Sequence, residues 1–147
     1  MGWTIYYEIN SVDPITDEEI SLLEAASKHC NSLLHIGSED FYFERESLHK
    51  MSGFTKVHYS TRDAKDYLII LETLQEIRKN IPNINIFVSD DYYLERCRPE
   101  NLGNIKEYFK KNQIAIYDNG YSIINLISAI MNIKLSIYEF FRGKRFF

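Results

Sequence analysis

The chain contains 147 residues, of which 45% are hydrophobic and 26% are charged, and its formal net charge is −4. This composition excludes a mostly disordered chain, and the 6 Gly, 3 Pro and 2 Cys exclude collagen-like and disulfide-scaffold proteins. The length suits a single domain over 1–147 with a substantial core, and the acidic balance argues against binding to duplex nucleic acid.

The first segment alternates between two faces over residues 3–9, and it is rich in aromatic and β-branched residues. This period of two predicts a strand. A helix is predicted over 16–36, because Thr16 and Glu19 have the spacing of a capping box and an apolar stripe follows at helical spacing. Gly37 is expected to end that helix.

The middle of the chain predicts a hairpin followed by a second helix and a last strand. Strands are predicted over 41–46 and 54–59, separated by a polar hairpin loop over 47–53. A helix over 62–80, capped by Ser60 or Thr61, is expected to end at Ile81-Pro82, and a strand follows over 83–89.

The resulting order is β-α-β-β-α-β, which predicts an α+β protein of the ferredoxin-like class. In this class an antiparallel sheet carries two helices on one face. We expect this core to occupy 1–90. The remaining residues, 91–147, are interpreted as a C-terminal extension that packs on the core or forms an oligomer interface.

The extension predicts a short helix over 104–112 with Asn104 as its N-cap, an edge strand over 113–117 and a turn over 118–120. The segment from Tyr121 to Phe141 is very apolar with a narrow polar stripe, which predicts a long helix buried within the chain or between copies. Lys134 and several Asn residues within it argue against a membrane helix. Both cysteines fit reduced thiols and no secretory signal opens the sequence, so a cytoplasmic protein is expected.

The sheet face opposite the helices is the first candidate binding surface, because aromatic and charged residues mix there. Its predicted members are Tyr6, Glu8, Tyr42, Glu44, Lys56, His58 and Phe87. One interpretation is stacking of a flat ligand on the aromatic rings. The preferred interpretation is that the C-terminal helix or another copy of the chain packs there. Single-stranded RNA is a rival that the acidic balance opposes.

A second candidate cluster follows the last strand and contains two acidic and two basic residues. Asp90 and Asp91 suit a divalent cation or acid–base chemistry, or alternatively a turn. Arg96 and Arg98 suit recognition of a phosphate or carboxylate, or alternatively a solvated loop with local ion pairs.

The cysteines and histidines indicate neither a disulfide nor a zinc site. Cys30 falls on the apolar stripe of the first helix, where a reduced thiol acts as a small hydrophobe. Cys97 lies between Arg96 and Arg98, which would lower its pKa if their charges are close, although an incidental surface thiol is the preferred interpretation. The sequence contains no glycine-rich phosphate loop and no nucleophile elbow, so no cofactor is predicted.

Together these features predict a non-catalytic protein that binds another macromolecule, such as an immunity-type protein or a phage or host-defence regulator. A protein partner fits the 11 tyrosines, which supply contact area at low entropic cost. Self-association through the apolar C-terminal segment is a further expectation. The alternative is a protein that binds a small ligand or nucleotide, with weak hydrolase activity built on the aspartate and arginine cluster.

Overall fold

A computed structural model describes residues 2–58, 63–91 and 94–111. In chain order the elements are β1 (Gly2–Ser11), α1 (Asp17–Leu33), β2 (Glu44–Ser47), β3 (Lys50–His58), α2 (Asp63–Asn80), β4 (Ile84–Asp90), a 3-10 helix (Pro99–Leu102) and α3 (Ile105–Lys111). The four strands form one sheet in the order β2-β3-β1-β4, and every neighbouring pair is antiparallel. The predicted α+β class is confirmed. The strand, turn and long helix predicted over 113–141 lie outside the described residues.

Helix α1 begins with the predicted capping box. The Thr16 hydroxyl accepts a hydrogen bond from the Glu19 N–H at 3.1 Å, and the Glu19 carboxylate accepts one from the Thr16 N–H at 2.9 Å. The predicted end at Ile36 is wrong, because Leu34 has an extended backbone and the His35 N–H donates to the Asp66 carboxylate at 3.1 Å. The helix therefore ends at Leu33, ahead of Gly37.

The hairpin between β2 and β3 is tighter than predicted. Its turn is Leu48-His49, and β3 begins at Lys50, so the predicted loop over 47–53 is wrong. The reason is that alternation already begins at Met51, which is buried, while Ser52 is partly exposed. Strand β2 begins only at Glu44, so the predicted strand over 41–46 is too long at its start.

One face of the sheet is buried under the helices. The buried residues on this face include Ile5, Tyr7, Phe41, Val57, Ile84, Ile86 and Val88. Phe43 is partly buried against the same core, and Tyr59 lies outside the described residues. This burial of alternate residues leaves the other face of each strand available for a functional site.

Helices α2 and α3 lie close to the predicted ranges. Asn104 caps α3 as predicted, because its side chain accepts a hydrogen bond from the Glu107 N–H at 3.2 Å. The 3-10 helix before it was not predicted, and the Gln75 amide binds it to α2 through the carbonyls of Pro99 and Gly103, each at 2.8 Å. Within the described part of the chain, no helix combines the length and the apolar character that a membrane crossing requires.

Candidate binding surface

The open face is defined here as the side of the sheet turned away from the helices. Strand register pairs Glu8 with Phe87 on one side and with Ser52 on the other, and Ser52 in turn pairs with Glu44. Residues paired in this way point to the same side of a sheet. These four residues therefore form one row across the open face, from Phe87 on β4 to Glu44 on β2.

A second row, richer in aromatic residues, runs parallel to the first. Tyr6 pairs with Ser89 on β4 and with Phe54 on β3. The side chains of Tyr6 and Phe54 remain 46% and 45% exposed. The Tyr42 ring extends the row, because its centroid lies 5.8 Å from that of Phe54 in an edge-to-face arrangement.

Between and around these rows lies a shallow depression of about 270 Å³. It brings together six residues of the two predicted candidate sites. They are Tyr6, Glu8, Tyr42, Glu44, Phe87 and Arg96. Residues that were not predicted for either site also line it. They include Ser52, Phe54 and Ser89.

Both arginines of the second cluster reach this surface because the chain folds back along β4. Val88 and Cys97 exchange backbone hydrogen bonds of 2.8 and 3.0 Å, which bring residues 94–98 alongside the outer edge of β4. Since Val88 faces the core and neighbours alternate in an extended segment, Arg96 and Arg98 lie on the side of the open face.

The two guanidinium groups converge on a single aromatic ring. The guanidinium carbon of Arg96 lies 3.9 Å from the centroid of Phe87, and that of Arg98 lies 5.6 Å from it. Both distances are within the range of cation–π attraction. Arg96 also forms an ion pair with Glu8, whose pKa is lowered chiefly by this hydrogen bond. A carboxylate with a lowered pKa is a weak proton acceptor, so Glu8 does not suit a general base near neutral pH.

The position of Tyr42 depends on the segment that precedes β2. The Asn31 side chain accepts a hydrogen bond from the Phe41 N–H at 2.6 Å and donates one to the Phe41 carbonyl at 2.9 Å. The Tyr42 N–H donates to the Tyr7 hydroxyl, and that hydroxyl hydrogen-bonds Thr55 at 2.8 Å. Burial raises the pKa of Tyr7, so this hydroxyl stays protonated and holds the segment in place.

Gly53 permits the same segment to approach the sheet closely. A β-carbon at this position would lie 2.0 Å from the Tyr42 carbonyl oxygen and 2.6 Å from the Tyr7 ring. No residue with a β-carbon fits at this position unless the backbone around Tyr42 moves.

Asp90 and Asp91 do not line the depression. Asp90 accepts hydrogen bonds from the Tyr67 hydroxyl and, at 3.0 Å, from the Leu94 N–H, so it fixes the turn after β4. Asp91 accepts one from the Thr4 N–H at 3.0 Å. The Asp90 contact with Leu94 fits the turn interpretation, whereas Asp91 connects the end of β4 to β1. Among the described histidine, cysteine, aspartate and glutamate residues, no cluster suits a metal ion.

Two further predicted residues that the structure describes, Lys56 and Arg98, do not line the depression. Lys56 is exposed and pairs with Thr4 at the end of the aromatic rows. His58 pairs with Gly2 at the end of the β1–β3 ladder, and its side chain is outside the described part. Arg98 borders the depression through its contact with Phe87.

Cys97 differs from the expectation that its neighbours would lower its pKa. Its pKa is raised, chiefly by burial and further by the negative charges of Asp90 and Glu100. The physical reason is the alternation of the extended segment, which turns the thiol toward the core and both arginines away from it. Cys97 and Cys30 are free thiols, and burial raises the pKa of Cys30 to about 12.

A second hollow, of about 360 Å³, lies between α1 and the segment before β2. It is lined by core residues such as Leu23 and Phe41, and by Asn31, whose amide is already used by the Phe41 backbone. The open face has the richer set of binding groups, because it combines half-exposed aromatic rings with charged side chains of both signs.

Phe54 is the main site residue that the sequence reasoning missed. The period-two pattern from Met51 to Val57 contained the signal, since Thr55 occupies the buried position and Phe54 the exposed one.

Comparison of the chain with protein-family models, with curated proteins and with solved structures finds no significant match.

Proposed function

We propose that this protein is a non-catalytic binding protein that docks another protein on the open face of its sheet. The observation that carries this proposal is the pair of half-exposed aromatic side chains, Tyr6 and Phe54, beside an arginine stacked on Phe87. Tyrosine and arginine dominate binding energy at protein interfaces, and aromatic rings and arginine are enriched there.

The open shape of the depression favours a protein over a small ligand. The depression, of about 270 Å³, lies open on the sheet face, whereas sites for small molecules bury most of the ligand surface. The carboxylates of Glu8 and Glu44 on the same row would repel the regularly spaced phosphates of a nucleic acid strand. A protein surface can present both charge signs and an apolar centre at once.

The alternative of a nucleotide-binding protein with weak hydrolase activity gains no support from the contacts of the aspartates. It requires Asp90 and Asp91 to face a ligand together. The carboxylate of Asp90 instead holds Leu94 and Tyr67, and that of Asp91 holds Thr4.

We further propose that the β-α-β-β-α-β unit belongs to the ferredoxin-like class. Read from the opposite edge, the strand order is β4-β1-β3-β2, and all neighbours are antiparallel. Helix α1 connects β1 to β2 across β3, and α2 connects β3 to β4 across β1. This interleaved connectivity supports the split β-α-β arrangement. An experimental structure with another strand order would overturn this proposal.

Within the class of protein-binding proteins, we propose an immunity-type role or a role as a phage or host-defence regulator in the cytoplasm. The small size, the net charge of −4 and the 11 tyrosines support this choice. Such proteins act by covering a partner, so the binding face itself is their functional unit.

The docking proposal is tested with wild-type protein, with a variant carrying Tyr6→Ala and Phe54→Ala, and with the control Ile36→Ala. Ile36 is 99% exposed in the loop after α1, so its truncation removes an exposed apolar group away from the open face. A partner captured from the source cell is purified, and its dissociation constant is measured for each variant.

We expect the double variant to weaken the complex at least roughly tenfold, the effect of losing about 1.4 kcal/mol, while the control binds like wild type. Equal affinity for the double variant would overturn the proposal. So would tight binding of a 12-nucleotide oligouridylate that depends on the same two residues, because it would indicate RNA.

Self-association through residues 121–141 is a separate proposal, which concerns residues outside the described part of the chain. Light scattering on the purified protein tests it. A strictly monomeric protein over the accessible concentration range would reject it.

A further inference from the structure

We propose that Arg96 and Arg98 form a carboxylate-binding subsite on the open face, which receives an aspartate or glutamate side chain of the partner protein. This inference rests on the proposed function and names the chemistry of the partner at one edge of the same surface.

The first reason is the fixed position of the two guanidinium groups. The turn held by Asp90 and the backbone hydrogen bonds between Val88 and Cys97 bind the segment to β4. Both guanidinium groups then lie over Phe87, at 3.9 and 5.6 Å. Preorganised donors lose less conformational entropy when a ligand binds.

The second reason is the balance of charge at this edge. Within the described residues, Glu8 is the carboxylate that forms an ion pair with this arginine pair, and it does so through Arg96. Glu8 is shared with Lys50, and Arg98 forms no ion pair with a described residue, so a positive charge is left in excess beside an exposed aromatic row. A further carboxylate would neutralise this excess and accept paired hydrogen bonds from a guanidinium group.

The third reason is the direction of charge along the first row. Arg98 lies at the β4 end, Glu8 in the centre and Glu44 at the β2 end. A single carboxylate over the arginines stays clear of Glu44. A chain of phosphates that continued along the row would come close to the Glu44 carboxylate. Charge complementarity therefore favours an acidic side chain of a protein.

The test measures the Nε–Hε NMR signals of both arginines during titration with capped glutamate, N-acetyl-glutamate N-methylamide. Capped glutamine is the neutral matched probe, and inorganic phosphate is the competing anion. We expect saturable shifts at both arginines with capped glutamate, with a dissociation constant in the millimolar range, which corresponds to about −4 kcal/mol. Capped glutamine should cause no saturable shift.

Three variants separate charge from geometry. Arg98→Gln should abolish the saturable shift at Arg96, and Arg98→Lys should weaken it, because an ammonium group lacks the planar pair of donors. Lys79→Gln removes one exposed positive charge on α2 and should leave the saturable shift at Arg96 unchanged. Circular dichroism confirms that each variant is folded.

Equal responses to capped glutamate and capped glutamine would overturn the inference, and so would a stronger response to phosphate. Its failure is distinguishable from failure of the docking proposal. If Tyr6→Ala with Phe54→Ala weakens the partner complex but Arg98→Gln does not, docking on the face stands and the carboxylate subsite is rejected. If Arg98→Gln weakens the complex but Tyr6→Ala with Phe54→Ala does not, the carboxylate subsite stands and the two aromatic residues are rejected as the docking centre.

Discussion

Glu8 occupies the centre of the open face and connects its basic and acidic halves. Its carboxylate pairs with Arg96 and lies 3.8 Å from the Lys50 ammonium group. The pKa of Glu8 is lowered first by the hydrogen bond from Arg96 and then by the charges of both cations. The carboxylate therefore contributes stability that is present above its unfolded pKa and is lost as the pH falls through the folded pKa.

We predict that Arg96→Gln raises the pKa of Glu8 toward its ordinary value of about 4.3. The loss in unfolding free energy at pH 7 should stay below about 1 kcal/mol, because Arg96 is largely exposed and solvent screens the pair. This loss should shrink as the pH falls below about 4. Carboxyl NMR titration and urea unfolding measure both effects. An unchanged pKa of Glu8 would contradict the pairing.

Single residues also show which contacts can be predicted from the sequence and which cannot. The spacing of Thr16 and Glu19 correctly predicted a capping box, because both partners lie within one helical turn. The sequence neighbours of Cys97 suggested a lowered pKa, yet the thiol lies on the other side of an extended segment from both arginines. Its environment depends on pairing with Val88, which is a contact between distant parts of the fold.

At the scale of elements, β3 and the segment before β2 fit together through Gly53. The sequence showed one glycine in a polar stretch, which resembled a hairpin loop. The structure places that glycine inside a strand, opposite Tyr7 and under the Tyr42 carbonyl. No local pattern predicts this close approach, because Tyr42 and Gly53 meet through hydrogen bonds that Asn31 and Tyr7 make across the fold.

We predict that Gly53→Ala lowers the unfolding free energy by about 1–3 kcal/mol or more, because the added methyl group overlaps the Tyr42 backbone. Lys56→Ala on the exposed side of the same strand is the control and should change it by less than about 0.5 kcal/mol. Urea denaturation measures both. A Gly53→Ala protein as stable as wild type would show that the segment moves away without cost.

For the whole molecule, the α+β class and the buried face of the sheet were predictable, because alternating apolar residues such as Ile5, Ile9 and Val57 repeat the same pattern in β1, β3 and β4. The aromatic character of the open face followed from the same alternation. The return of residues 94–98 along β4 was not predictable, since a charged stretch between Leu94 and Pro99 resembles an ordinary loop.

We predict that backbone amides of β1 exchange with solvent most slowly among the strands and those of β2 fastest. Strand β1 lies between β3 and β4, so its backbone groups are paired on both sides, whereas β2 is a four-residue edge strand with exposed side chains. Hydrogen exchange monitored by mass spectrometry or NMR measures this order. Protection of β2 equal to that of β1 would indicate that another chain covers this edge.

The backbone bridge between Val88 and Cys97 has a practical consequence for anyone who shortens this protein. A fragment that ends after Asp90 would keep all four strands, yet it would expose the outer edge of β4, which can pair with other chains and cause aggregation. It would also lack both guanidinium groups. The smallest recombinant fragment that retains the proposed binding surface must therefore extend at least through Arg98.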